Sequence, residues 1–272
     1  MTQLPVLILG GLGKTGARVE AQLRARGIPT RVASRSTIPA FDWDQPQTWA
    51  AALQGASKAY VSFQPDLAVP GAAAAMALLG QLAQDAGLEQ VVLLSGRGEP
   101  GAQAAEQALQ ASGAPCTIVR ASWFAQNFSE GYLVEGVMAG EIALPAGDVP
   151  EPFVDADDIA EVAVAALTDP RHLGQAYEVT GPRALTFTQA AAEIAEATGR
   201  PLAYRQIGAD AFAEGLRPYA PEQVVQLLLE LFTVVLDGRN VATADGVPRA
   251  LGRPARDFGD YARAAAAAGA WG

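Results

Sequence analysis

The chain has 272 residues, half of them apolar, with 19 lysines and arginines against 29 aspartates and glutamates, a formal charge of −10. That is enough apolar material for one large core, or a core with an appended lobe, and it excludes a disordered chain. The acidic balance speaks against nucleic-acid binding, which needs a basic face to neutralise phosphates. One cysteine, Cys116, permits no intrachain disulfide, and one histidine, His172, leaves no His/Cys zinc cluster to build, so no metal is expected. The opening MTQLPVLILGG lacks a basic leader, and no uncharged apolar stretch reaches about 20 residues. The expectation is a soluble cytoplasmic protein with a small-molecule substrate and no membrane span, its oligomeric state left open by the sequence.

In chain order, residues 4–9 (LPVLIL) form a continuous apolar run of the kind a strand buried on both faces shows. A glycine-rich turn and a helix over 16–26 follow. Strands are predicted at 30–34, 59–63, 90–95 and 116–120, with a further strand ending at Phe41-Asp42-Trp43. Helices are predicted at 69–86 and 102–111. This alternation implies parallel βαβ units and a doubly wound α/β sheet. Asp155 starts another helix, with Asp157 and Asp158 in its first turn as dipole partners rather than metal ligands. Residues 177–180 read as one more sheet strand. Beyond it lie a helix over 186–198 stopped by Gly199, a strand at 202–207, a helix over 221–237 and a last helix over 257–268. The 221–237 helix is apolar nearly all round, which predicts burial. Residues 1–150 are therefore assigned to the dinucleotide-binding half, with 151–181 returning to its sheet. Residues 182–272 form a smaller, mostly helical lobe. His172, between Pro170 and Gly174, reads as an exposed loop residue.

Gly11-Leu-Gly13-Lys-Thr-Gly16, preceded by Gly10, matches G-x-G-x-x-G directly after a buried strand and at the start of a helix. In that context the glycines allow a tight turn and close backbone approach, placing a pyrophosphate on the helix N-terminus, with Lys14 and Thr15 in its first turn. After the second strand stands Ser34-Arg35-Ser36 where an NAD-preferring site has an acid. A guanidinium flanked by hydroxyls suits a 2′-phosphate, so the expected cofactor is NADP(H). Asp42 is expected to face the adenine. Ser62, Phe63, Gln64, Ser95 and Gly96 are expected to open onto the crevice at the carboxyl ends of the strands.

None of the six tyrosines (60, 132, 177, 204, 219 and 261) has a lysine four residues later, and the chain has only Lys14 and Lys58. The usual Tyr-x-x-x-Lys proton donor for carbonyl reduction is thus missing. Either the protein does not catalyse, or its acceptor is already electrophilic, as iminium ions and quinones are.

GGLGKTG, the Ser-Arg-Ser segment, FDWDQPQTW, RASWFAQNF, PFVDADDIAEVA, YEVTGPRALTF and the closing DFGDYARAAAAAGAW resemble the NmrA-like, atypical short-chain dehydrogenase family, and within it the branch of the festuclavine and agroclavine dehydrogenases of ergot alkaloid biosynthesis. The resemblance runs nearly end to end. It implies a Rossmann domain with a small C-terminal lobe, NADPH, and reduction of an iminium C=N bond or a quinone; other relatives are regulators that bind dinucleotide without turnover. Ser95-Gly96-Arg97-Gly98-Glu99 departs from the fungal alkaloid enzymes, and Ala102 and Gln103 stand where some relatives carry a catalytic lysine. The expected activity is an NADPH-dependent reductase for a small hydrophobic imine-, iminium- or quinone-type acceptor; the rivals are a cofactor-sensing regulator acting through a protein partner, and an isomerase or cyclase that keeps the cofactor as scaffold. Arg97, Glu99, Trp123, Phe124, Asn127 and Phe153 are the candidate acceptor-pocket residues; no catalytic side chain is assigned.

Overall fold

Among the described residues, eight strands organise the chain: β1 (Val6–Leu9), β2 (Thr30–Ala33), β3 (Lys58–Val61), β4 (Gln90–Gly96), β5 (Cys116–Ala121), β6 (Glu141–Leu144), β7 (Ala176–Val179) and β8 (Ala203–Gln206). The computed structural model describes residues 3–272. Six strands form one parallel sheet in the order β2-β1-β3-β4-β5-β7, and the order reverses between β1 and β3. This is the doubly wound, Rossmann-type arrangement expected from the strand–helix alternation. No helix is long and apolar enough to cross a membrane among the described residues.

Two compact units emerge. The first comprises the chain up to Ala121, with Ala156–Val179 and Asp245–Arg253. Its central strands are buried on both faces, so alternate residues serve different layers. Leu7, Leu9, Ala59, Val61, Val91 and Leu93 join Met76, Leu79, Ala102, Ala105 and Leu109 in one core, supplied by the mutually packed helices Ala72–Asp85 and Pro100–Ala111. On the other layer, helix Lys14–Ala25 packs against helix Ala156–Thr168. The predicted strand ending at 41–43 is absent. Those residues form a turn in which Phe41, Trp43 and Trp49 pack ring on ring at 4.7–5.7 Å, and the Trp49 indole N–H donates to the Asp42 carbonyl at 2.6 Å. Their apolar content serves an aromatic plug, not a strand.

His172 is also not exposed. It is buried, its Nδ1 lies 2.7 Å from the Tyr177 hydroxyl, and its carbonyl accepts from Thr117 Oγ1 at 2.6 Å. The turn Pro170–His172, capped by the Asp169 carboxylate accepting from the Arg171 amide, folds the ring inward.

The second unit comprises Ser122–Asp155, Thr180–Ala244 and Pro254–Gly272. Against the expected 1–150 with 151–181 returning and 182–272 as the lobe, the chain leaves the first unit directly after β5, returns over 156–179, and returns again over 245–253. Helix Gly246–Leu251 lies on β7 so closely that a Cβ at Gly246 would fall 2.6 Å from the Glu178 carbonyl carbon. In the second unit β6 and β8 pair in parallel, Glu141 with Ala203 through Leu144 with Gln206. Thr186 and Gln189 form a reciprocal capping box, and the helix Phe187–Thr198 ends at Gly199 with φ +65°. The stretch 221–237 is not one helix buried all round. It is a helix, Glu222–Glu230, continued by a π-helical turn, Leu231–Val235. Val225, Leu228, Phe232 and Val235 point inward, while Glu222, Gln226, Glu230 and Thr233 make an exposed stripe at helical spacing and Val234 is 48% exposed.

Register places Ser95, Arg120 and Glu178 abreast on β4, β5 and β7. Glu106, from helix Pro100–Ala111, is buried among them. It accepts from Ser95 Oγ at 2.5 Å and from Arg120 Nε and Nη2 at 2.6–2.9 Å, and Glu178 joins Arg120 to Arg97 at 3.5 and 3.0 Å. Removing one member of a buried pair strands the other charge at a cost of about 3–5 kcal/mol. Arg120→Met should therefore lower unfolding stability in urea by about that amount. Arg171→Ala, at an exposed pair with Asp169, should leave the urea midpoint unchanged.

Candidate dinucleotide site

The turn after β1 is shaped by what its glycines lack. Gly10 has φ +84°, a conformation that side chains resist. A Cβ at Gly11 would lie 2.8 Å from Val32 Cγ1, so the turn can press against β2 only without one. A Cβ at Gly16 would run into the Gly10 carbonyl, lying 2.8 Å from its carbon; helix Lys14–Ala25 is thereby seated against the end of β1. Gly13 differs: its amide donates to the Gly10 carbonyl at 3.0 Å, and an added Cβ would meet only that oxygen, at 3.3 Å. Its outer side is open. The helix it caps has no side-chain cap and no acid in its first turn, so its amino end offers unscreened dipole and backbone N–H groups. Lys14 and Thr15 are its first residues, but the Thr15 side chain is buried and accepts from the Tyr60 hydroxyl at 2.8 Å.

On the neighbouring strand end, Ser34 Oγ lies 3.1 Å from Ser36 Oγ, and Thr37 Oγ1 both accepts from the Ser34 amide and donates to the Ser34 carbonyl. Arg35 is exposed and among the described residues makes no hydrogen bond or ion pair with the protein. Arg31, four residues earlier, is committed elsewhere: its Nη2 donates to the carbonyls of Ala52 and Gln54 at 2.7 and 2.8 Å. The Asp42 carboxylate accepts from the Asp44 amide and from Gln45 Nε2, both at 3.1 Å, and so shapes its own turn. Just after β3, Ser62 donates its amide to the Leu9 carbonyl at 3.1 Å and underlies Gly10, Phe63 packs on Trp43 at 4.6 Å, and Gln64 is exposed.

The sheet thus gathers Gly10, Gly11, Gly13, Lys14, Thr15, Gly16, Ser34, Arg35, Ser36 and Ser62 at the carboxyl ends of β2, β1 and β3, where the strand order reverses. Ligands of open α/β sheets bind at such a point. An open glycine, an uncapped helix start and an unengaged guanidinium between hydroxyls fit a dinucleotide carrying an extra phosphate. Thr37 and Tyr60 support this site without belonging to any motif; a buried tyrosine in a short strand carries no sequence signal for a partner on another element.

The other expected residues divide. Ser95 is buried with its hydroxyl given to Glu106, and the Glu99 carboxylate folds onto Gly96, occupying the space a Cβ there would take. Arg97 is held by Glu178. In the second unit Trp123 is half-buried, 4.8 Å from Phe232 and 5.8 Å from Phe187. Phe124 is half-buried and bridges to Val154 through the backbone. Asn127 opens the short helix Asn127–Glu130. Phe153 is 2% exposed, enclosed by Phe128, Phe187 and Phe258 at 5.2–5.6 Å, so it is core and not a wall. Asp155 accepts from Gln126, Asp157 from Arg18, and Asp158 from Arg253.

The profile of the NmrA-like family matches residues 103–251. An NAD(P)H azoreductase of Xenophilus azovorans is 33% identical over 97% of this chain and 98% of its own length. The chain belongs to the NmrA-like family. A festuclavine dehydrogenase of Aspergillus fumigatus is 28% identical over 95% of this chain and 97% of its own length, in line with the resemblance read from the motifs. An NADPH-dependent quinone oxidoreductase of Escherichia coli, solved with NADPH, shares the fold with a TM-score of 0.78 at 21% identity, covering 94% of this chain and 98% of that one.

The glycines separate seating from binding. Gly16→Ala should lower both stability and NADPH affinity, because its Cβ collides with backbone. Gly13→Ala should leave the thermal midpoint nearly unchanged yet weaken NADPH about tenfold, roughly 1.4 kcal/mol, in titration calorimetry.

Proposed function

We propose that this protein is an NADPH-dependent reductase that transfers hydride to a small, hydrophobic, conjugated acceptor of imine, iminium or quinone type. The chain is an oxidoreductase of the NmrA-like family, and NADP(H) is its cofactor. The observation that carries the cofactor reading is Arg35, exposed and unengaged by the described residues, with the Ser34 and Ser36 hydroxyls on either side and no acid between the end of β2 and Phe41. A planar guanidinium offers a phosphate two parallel donors, whereas a carboxylate at this place would repel it.

NADPH, when bound, supplies the hydride. The chain's own part is to hold and orient. The amide groups at the start of helix Lys14–Ala25 and the open side of Gly13 would take the pyrophosphate, and Arg35 with its two serines the 2′-phosphate. The acceptor class is argued from the protein's proton inventory. Tyr60 donates to Thr15, Tyr204 to the Ala146 carbonyl, Tyr261 to Ser129, and Tyr177 is paired with His172; of the other two, Tyr132 lies 6.2 Å from Phe232 with its hydroxyl pushed upward by desolvation, and Tyr219 is exposed. Lys58 Nζ donates to the Leu167 carbonyl at 2.7 Å, and its strand register puts it beside Val6, at the amino end of β3, away from the glycine turn. Burial further pushes the Tyr60 hydroxyl upward, out of the range of a useful acid. An acceptor that is already electron-poor, and whose reduced form takes its proton from water, suits this inventory. Within the second unit, Trp123 is edge-on to Phe187 and tilted against Phe232, a half-buried aromatic surface of the kind that a flat conjugated molecule favours.

Arg35→Ala should raise KM for NADPH by about 10- to 150-fold, the equivalent of one hydrogen bond to a charged group at roughly 1.5–3 kcal/mol, with little effect on NADH. Equal losses with both cofactors would remove the 2′-phosphate assignment. Oxidation of NADPH, followed at the nicotinamide absorbance, should proceed with cyclic iminium ions or quinones and not with simple ketones. Tight NADPH binding without turnover of any acceptor would instead favour a sensor.

A further inference from the structure

The Tyr60 side chain is fully buried in the middle of β3, in register with Ile8 of β1 on one side and Val92 of β4 on the other. A hydroxyl in that setting needs a partner, since an unsatisfied buried donor costs free energy. Its partner is Thr15 Oγ1, at 2.8 Å. Thr15 is the second residue of helix Lys14–Ala25, after the Gly13 cap, and so one of those whose amide has no partner within the helix. It is 3% exposed, which leaves its side chain no role in touching a ligand directly. The hydrogen bond therefore ties the rigid centre of the sheet to the backbone that faces the phosphates. It acts across the β1/β3 reversal and spans 45 residues of sequence.

We propose that Tyr60 is a positioning residue for the cofactor: through Thr15 it fixes the first turn of the helix so that its amides meet the pyrophosphate. The proposal rests on the dinucleotide reading of the glycine turn. The glycines set how close the helix comes to β1, but they leave its rotation about its own axis to side-chain contacts. Val19 and Leu23 are buried further along the helix, whereas the Tyr60 bond acts in the first turn. A directional O–H···O bond there sets the angle at which the amides point, which apolar contacts four and eight residues away do less tightly.

The test uses the full chain and two ligands. NADPH needs both the pyrophosphate cradle and the Arg35 loop; adenosine 2′-monophosphate has no pyrophosphate and reaches the Arg35 loop alone. Tyr60→Phe should weaken NADPH about three- to tenfold in titration calorimetry, the size expected from one hydrogen bond, while adenosine 2′-monophosphate binds as to the wild type. Thr15→Val should do the same, Thr15→Ser should retain more NADPH affinity than Thr15→Val, and the double variant Tyr60→Phe/Thr15→Val should be no weaker than the worse single variant. Loss of both ligands in proportion, additive losses in the double variant, or unchanged NADPH binding by Tyr60→Phe would each overturn the proposal. Thermal midpoints separate binding loss from unfolding. A wild-type protein that binds neither ligand would overturn the dinucleotide reading itself, before any variant is compared.

Discussion

A Cβ on Gly16 would lie 2.8 Å from the Gly10 carbonyl carbon, and the placement of the whole cofactor site follows from the close seating that its absence allows. A side chain at Gly16 would push the helix away from the end of β1, and with it the row of backbone donors that the helix start presents, while one at Gly10 would press on Ser62 after β3. Gly11 repeats the constraint toward β2 by lying against Val32. Three strand ends are thereby brought together where the sheet order reverses. The site is largely backbone, with one guanidinium and a few hydroxyls added. That explains how a chain with a formal charge of −10 accommodates a polyanion: the local field is set by a helix start and Arg35, not by the net charge.

A second constraint governs the other half of the same sheet. Beyond β3 the carboxyl ends carry side chains already engaged with one another. Ser95, Glu106, Arg120, Glu178 and Arg97 form a chain of charge-assisted hydrogen bonds across β4, β5 and β7. Such a network rigidifies the strand ends while removing their proton-transfer groups from service. The hydroxyls of four tyrosines, the His172 ring and the Lys58 amine are likewise paired within the protein. A catalyst with this inventory contributes geometry more than acid strength, and holding a donor and an electrophile in line is itself a large rate effect.

The second unit is held by aromatic packing instead of a sheet. Phe128, Phe153, Phe187 and Phe258 interlock, Trp271 donates to the Phe128 carbonyl at 2.8 Å, and Phe232 on the π-helical turn reaches Trp123, Phe187 and Phe212. The two-stranded β6–β8 pairing is too small to be stable by itself and depends on that cluster. A π-helical turn shifts the register of a helix, and here it lies in the stretch that carries Phe232 inward and leaves Val234 at the surface.

The sequence alone determined the parallel sheet, the glycine turn and the contrast between Arg35 and the missing acid. Continuous apolar runs, glycine spacing and local charge are properties of neighbouring residues, and neighbours are what a sequence displays. It also carried the family, through motifs such as PFVDADDIAEVA. Tertiary structure decided the rest. Phe41-Asp42-Trp43 has strand composition but packs as a ring cluster on Trp49, because burial satisfies aromatic residues equally well in either conformation. His172 looked like a loop residue and is buried because Tyr177, on the next strand, offers its hydroxyl. The 221–237 stretch reads as apolar nearly all round, yet Glu222, Gln226, Glu230 and Thr233 fall on one line only once the helix is wound. Phe153 became core, and Tyr60 gained a role, through partners far away in the chain. Hydrogen bonds and ring contacts between distant residues are fixed by how elements pack, and no local pattern of residues encodes them.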